Sequence, residues 1–372
     1  MVGHMARKLK ISRIILLVLI VAAGVFAFFL SHDAPCEAGA APVSGAASMN
    51  AIAYRCYGGP EVLKLERVAK PVPAADEVLV HVRAAGVNPL DFHYMHGTPY
   101  IMRLGAGMGR PKDPSFGVDF AGVVEAVGAD VKTFKPGDAV FGGRSGAFAE
   151  YLVVRAARNI VLKPENLSFE QAAAVPIAAV TALQALRDKG KVKAGQKVLV
   201  NGASGGVGTF AVQIAKHLGA TVTGVCSTRN VEMVRGLGAD LVVDYKTEDF
   251  VQRPERYDVI IDTVGNRDLT EYRHVLTPDG IYVMVGGPSD GNWIGPLSKG
   301  LKAAIYDPFV DPSFSMMLAE LNPADLAYLR DLLAAGKLKP VLDRSYELAD
   351  AAAAVAYVEE GHARGKVTLA ID

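Results

Sequence analysis

The run Lys197–Asn201 (KVLVN), Gly202–Gly208 (GASGGVG) and Thr209–Leu218 (TFAVQIAKHL) decides the fold. Its first five residues read as a buried strand and its last ten as an apolar helix. Between them, glycines at 202, 205 and 208 give a G-x-x-G-x-x-G spacing. A chain that turns from strand to helix within a few residues needs glycine twice over. The backbone must bend sharply, and it must approach a pyrophosphate seated on the N–H groups of the helix start. A tight turn without a ligand is the competing reading. Further runs follow at Thr221–Cys226, Val231–Leu237, Leu241–Asp244, Asp258–Asp262 and Ile281–Val285. The short runs are apolar throughout rather than alternating, which suits parallel strands covered on both faces and spells a doubly wound α/β sheet.

The end of the second strand reads the cofactor. An NAD site would place an acid there for the ribose hydroxyls. This chain has Cys226-Ser227-Thr228-Arg229-Asn230, with a cation and no acid. Hydroxyl and guanidinium together favour a 2′-phosphate, hence NADPH. The alternative is that Arg229 is a solvated residue at a helix start.

Upstream, Val78–Val82, Phe120–Val127, Ala139–Phe141 and Tyr151–Val154 read as short strands of a compact β-rich unit. Glycines and prolines from Gly97 to Gly117 mark an irregular loop long enough to be functional. Ala172–Leu186 is helical in character but interrupted by Pro176. Near the end come helical stretches at Pro323–Ala335 and Ala349–Glu360, then a strand at Lys366–Ile371. That strand is expected to return to the first unit.

The 372 residues carry 39 basic and 39 acidic side chains, so no global field holds a polyanion, and nucleic-acid binding is disfavoured. Three cysteines exclude a disulfide scaffold and a four-thiolate zinc site. Arg7, Lys8, Lys10 and Arg13 precede an unbroken apolar run, Ile14–Leu30. As a helix it spans about 25 Å, within the membrane-spanning range. The expectation is an uncleaved single-span anchor followed by a flexible tether over 34–47. A cleaved signal, a transit peptide and a buried core helix are the alternatives. Charge bias favours an extracytoplasmic enzyme, whereas the supply of reduced cofactor favours the cytoplasm or a mitochondrial matrix.

Motifs in order along residues 49–372 resemble the medium-chain dehydrogenase/reductase superfamily, in its zinc-independent quinone oxidoreductase branch. They are Tyr57–Leu63, Gly86–Asp91, Gly117–Gly122, Lys135–Asp138, Gly146–Tyr151, the glycine fingerprint, Gly238–Tyr245 and His362–Lys366. The resemblance implies a GroES-like catalytic domain over 49–165, completed by 311–372, and a Rossmann domain over 166–310. Asn88 stands where the zinc branch has cysteine, and Val118-Asp119 where it has His-Glu, so no metal is expected. Ser204, Gly205, Gly206 and Val207 would hold the pyrophosphate. Ser227 and Tyr245, with Arg229, would contact the 2′-phosphate, although relatives often have lysine where this chain has Asn230. Thr181 and Gly286 would flank the nicotinamide, and His362, Ala363 and Arg364 would close over the cofactor.

Without a Lewis acid, substrates that are already electron-poor need the least help: quinones and enones accept hydride at a conjugated position. Asn88 is the expected oxyanion donor and Tyr94 the proton source, with Asp91 orienting their loop. Tyr94, Tyr100 and Met102 read equally well as pocket wall. The stretch 293–310, with Trp293, Ile294, Ile305, Tyr306 and Phe309, is expected either to cap a hydrophobic cleft or to pack between domains or subunits, and a homodimer is compatible with it. The expected activity is a membrane-tethered quinone or enone reductase. Its rivals are an enal reductase on soluble aldehydes and a non-catalytic NADPH-binding protein.

Overall fold

Six short strands rich in Val, Leu and Ile lie side by side in the order Leu241–Asp244, Thr221–Cys226, Lys197–Asn201, Tyr257–Asp262, Leu276–Met284, Ser313–Met316, all parallel. In this computed structural model the described residues are 2–39, 48–287, 291–295, 297–309 and 311–372, with backbone alone for 2–16 and 309. Helices Gly206–His217, Val231–Gly236 and Leu269–Val275 connect strands of this sheet. The strand order reverses beside Lys197–Asn201, so a crevice opens where Gly202–Gly208 emerges. The sheet takes in Ser313–Met316, past residue 310.

The second sheet has seven strands. Glu77–Val87 is its spine, pairing antiparallel with Asp119–Val127, Tyr151–Arg155 and Lys366–Ala370. Ala139–Gly143 and Ile160–Leu162 extend one side, and Leu342–Glu347 the other. Late strands thus complete a sheet begun near residue 77. A separate hairpin pairs Ser48–Ala53 with Lys64–Ala69. The two sheets share one core: Ala84, Ala121 and Phe141 of the second pack in the same cluster as Leu183, Val200 and Phe210 of the nucleotide side.

Pro176 divides the Ala-rich stretch into Phe169–Ala173 and Pro176–Gln184, because proline has no N–H to donate and is tolerated only in a first turn. The break turns the backbone N–H groups of a new helix start toward the second sheet, which matters below.

The expected transmembrane helix and the membrane localisation built on it are corrected here. Val2–Ser31 is helical, but among the described residues no helix is long and apolar enough to cross a membrane. The last turn is also engaged by protein, with Leu30 only 3% exposed and its carbonyl accepting from Arg103. Cys36, in the segment that follows, is disulfide-bonded to Cys56, with Cα atoms 4.6 Å apart. Three cysteines had argued only against a disulfide scaffold, and this single bridge was not legible in their spacing.

Leu183 is fully buried in the shared core. Leu183→Ala is expected to cost about 2–5 kcal/mol, read as a lower urea midpoint.

Candidate active site

The glycine loop follows from packing. Gly202 has φ +84°, a conformation open to glycine at little cost. A Cβ on Gly208 would be driven into the Gly202 carbonyl. Gly205 is different: a Cβ there would meet little but the Gly202 carbonyl at 3.5 Å, so its free face points into open space. Ser204, Gly205, Gly206 and Val207 therefore form a cradle at the start of helix Gly206–His217, whose first N–H groups have no intrahelical acceptor. At the next strand end, Asn230 is 4% exposed and donates to Ser204 Oγ at 3.1 Å and Ser227 Oγ at 3.2 Å. Its own Oδ1 is buried without a partner. An orphaned acceptor beside a glycine cradle fits a missing hydroxyl-bearing ligand.

Strand pairing brings Ser227 and Tyr245 together, since Cys226 and Asp244 are register partners. Arg229 Nη2 donates to the His362 carbonyl at 2.6 Å, and Arg364 Nε reaches Met233 Sδ at 3.3 Å. The 362–364 segment thus lies over the nucleotide domain. Glu232 is drawn to Arg235, leaving the Ser227 end without a free neighbouring acid in its own turn.

From the glycine loop a chain of contacts runs into the second sheet. Gly365 N donates to Ser204 O at 2.8 Å. The next residue, Lys366, passes Gly206 so closely that a Cβ there would come within 3.1 Å of its side chain. Lys366 Nζ donates to Asn88 Oδ1 at 2.6 Å and to Val87 O at 2.8 Å. Asn88 Nδ2 donates to Asp119 Oδ2 at 3.0 Å, and Asp119 Oδ1 accepts from Ile177 N at 3.1 Å, in the first turn of the helix that Pro176 starts. In that helix Thr181 Oγ1 donates to the Ile177 carbonyl at 2.7 Å. The glycine loop, Asn88 and Thr181 are consequently parts of one connected array. Gly286 sits just past the strand Leu276–Met284, with its N–H on the Asp262 carbonyl at 3.2 Å.

The array is dry: Asn88, Asp91, Asp119 and Lys366 are each at most 3% exposed. Burial pushes Asp91 up to about 7, against the N–H of Asn88, which lies 2.7 Å from its Oδ2 and favours the charged form. Burial likewise raises Asp119 to about 6, opposed by Lys366 and by the donors from Asn88 and Ile177. Desolvation lowers Lys366. The amide of Asn88 is spent on this network. Tyr94 lines a cavity of about 370 Å³ together with Asp91, Leu90, Val118 and Tyr54. Asp119 and Lys366 were quoted in motifs but given no role by sequence reasoning. For Asp119 the available signal was a lone charge in the otherwise apolar and glycine-rich Gly117–Gly122, whereas Lys366 stands beside His362 and Arg364 and nothing local sets it apart.

Of the expected cap, Trp293 meets Tyr100 edge-on with ring centroids 5.3 Å apart, and Asn292 O accepts from Tyr100 N at 2.6 Å. Tyr306 instead packs against Phe314 in the nucleotide core. The Phe309 side chain lies outside the described residues. His93 and His96 turn to the Thr98 carbonyl and Glu359.

Two family models match, an alcohol dehydrogenase GroES-like domain over residues 74–165 and a zinc-binding dehydrogenase over 237–369. The chain is 35% identical to the pig (Sus scrofa) quinone oxidoreductase over 336 residues, which is 87% of this chain and 97% of the relative. It is 35% identical over 343 residues to the NADPH-dependent alkenal/one oxidoreductase of Arabidopsis thaliana, covering 86% and 79%. The quinone oxidoreductase structure from Coxiella burnetii superposes with a TM-score of 0.77 at 32% identity, covering 87% of this chain and all of that one. The fold is that of a nicotinamide-dependent oxidoreductase. The chain belongs to the medium-chain dehydrogenase/reductase superfamily, in its quinone oxidoreductase branch.

The zinc in one family model's name does not fit these residues. Asn88 and Val118 offer neither thiolate nor imidazole, Asp119 is already committed to three partners, and among the described residues no group of three His, Cys, Asp or Glu could hold a metal.

Asp91 generates a pH signature. Its raised value means that the folded state favours the proton, so its contribution is full below about pH 4 and lost as pH rises to about 7. Asp91→Asn keeps an acceptor for the Asn88 N–H. Relative to wild type, its urea stability is expected to improve by a few kcal/mol, on the order of the linkage term, between pH 4 and pH 8.

Proposed function

We propose that this chain reduces quinones or other conjugated carbonyls with NADPH, and that Tyr94 delivers the proton. The observation that carries the reading is the composition of the reaction centre. Where the zinc branch presents ligands, this chain has a closed hydrogen-bonded array beside a largely apolar cavity. Such a centre offers no Lewis acid to a simple alcohol oxygen, which suits acceptors whose conjugation already spreads the arriving charge. The relatives point the same way: their names are quinone oxidoreductase and alkenal/one oxidoreductase.

The reduced nicotinamide supplies the hydride when bound. The chain holds the rest. Ser204, Gly205, Gly206 and Val207 take the pyrophosphate on backbone N–H groups, and Thr181 and Gly286 flank the nicotinamide side. Asn88, fixed between Lys366 and Asp119, holds the start of helix Pro89–His96, which carries Tyr94 into the cavity. For Asn88 to donate to an oxyanion, it must release Asp119 or the Gly86 carbonyl, so its anchoring role is the more direct one. A proton from Tyr94 Oη then balances the hydride on the acceptor.

NADPH is favoured over NADH by Ser227, Arg229 and Tyr245 and by the absence of an acid from Cys226 to Asn230. His362, Ala363 and Arg364 close the same end, through the bond from Arg229 to His362.

NADPH absorbance followed with a benzoquinone, a ubiquinone analogue and an enal in parallel tests the activity. NADPH binding without oxidation by any of them would instead indicate a binding protein. Tyr94→Phe is expected to lower kcat about 10²-fold with little change in NADPH affinity; an unchanged kcat removes Tyr94 from the proton path. Arg229→Ala is expected to weaken NADPH about tenfold and NADH little, since one charge-assisted phosphate contact is worth roughly 1.5–3 kcal/mol. Equal losses for both cofactors would count against the phosphate role.

A further inference from the structure

Arg103 is 1% exposed, and a guanidinium taken out of water must find partners for five N–H donors. Two acceptors come from the preceding helix end: the Gly97 carbonyl at 2.7 Å from Nε and the His96 carbonyl at 3.4 Å from Nη2. The other three come from beyond the GroES-like domain. Nη1 donates to the carbonyls of Leu30 at 3.2 Å and His32 at 3.4 Å, and Nη2 pairs with Asp33 Oδ1 at 2.8 Å. The rings of Tyr57 and Tyr100 close the two faces, 4.4 and 4.5 Å from Cζ.

The same short segment grips the loop after Arg103. Ala34 N donates to the Gly109 carbonyl at 2.8 Å, and Glu37 pairs with Arg110. Cys36 is bonded to Cys56, next to Tyr57, whose hydroxyl donates to the Gly107 carbonyl at 2.7 Å. Beyond the turns Tyr100–Met102 and Arg103–Ala106 the loop closes on itself through Lys112 N, which donates to the Ala106 carbonyl at 2.8 Å, and Gly107 and Gly109 both have positive φ. Its inner side supplies Gly105, Ala106 and Lys112 to the cavity that Tyr94 lines.

We propose that residues 30–37 are a strap that sets the position of the substrate-pocket wall, with Arg103 as the positioning residue and the Cys36–Cys56 bond as the fastening. Energetics couple the two. Removing the strap leaves three donors of a buried cation unpaired, so either the loop shifts or Arg103 turns out to water, and in both cases the wall moves. The strap acts on acceptor fit and not on the cofactor cradle, which lies in the other domain. As a claim about substrate selection, the inference rests on the quinone and enone reading.

The test uses the full chain with Asp33→Ala and Cys36→Ser combined, both at exposed positions, so that folding is preserved. Under denaturing conditions wild type should show one alkylatable thiol, Cys226; three would overturn the fastening. In the double variant, amide hydrogen exchange should speed up over 98–112 and stay unchanged over 197–226. Unchanged exchange over 98–112 would overturn the strap. With a compact and a long-tailed quinone compared, kcat/KM for the compact acceptor should fall about tenfold through KM. That for the long-tailed one should change less than twofold, with NADPH Kd constant. An equal factor for both acceptors would reduce the strap to a general stabiliser and overturn its role in selection. If wild type turns over neither quinone nor an enal assayed beside them, the quinone and enone reading fails, and with it the selection claim, while the exchange result still judges the strap.

Discussion

Asp119 has no access to water, and the placement of both domains follows from the need to satisfy it. Its donors come from the Asn88 side chain and from the first turn of helix Pro176–Gln184, and Lys366 Nζ stands 3.8 Å away. These three partners belong to different stretches of chain, and removing one would strand a buried carboxylate at a cost of several kcal/mol. A single oxygen pair thereby fixes the helix that carries Thr181, the strand that runs beside the glycine loop and the turn that starts the Tyr94 helix. Proline 176 is what makes the arrangement available, because it starts a helix with free N–H groups in the middle of an alanine-rich stretch.

The contrast with a metal centre is physical. A zinc ion draws its ligands together by charge and polarises the substrate as well. Here the drawing together is done by hydrogen bonds, which saturate: once Asn88, Asp119 and Lys366 have satisfied one another, little is left over to pull on a substrate oxygen. Reactivity must then come from the acceptor, and selectivity from the shape of the cavity wall.

The nucleotide domain was legible because its signals are local: a glycine spacing, uniformly apolar strands and a missing acid lie within some thirty residues of one another. The return of Lys366–Ala370 to the seven-stranded sheet was legible from strand character and order. The buried array was not. Asp119 and Lys366 lie 247 positions apart, and nothing in either neighbourhood says that they meet. The first helix misled for a related reason. An apolar run is consistent with a span whatever follows it, and only the three-dimensional contacts show that Leu30 and Asp33 complete the surroundings of Arg103. Cys36 and Cys56 likewise pair through that placement and not through their spacing.

The spine strand Glu77–Val87 has Lys366–Ala370 as a neighbour. During synthesis, the ribosome makes nearly three hundred residues between these two strands, at about 5–20 residues per second. The sheet that carries Asn88 therefore waits with an open edge, while the nucleotide domain, continuous from Lys197 to Met316, has all its strands available earlier. The order in which the sheets can be completed runs opposite to the order in which they begin: the nucleotide sheet has its last strand by Met316, and the sheet beside Asn88 gains its last two strands after it.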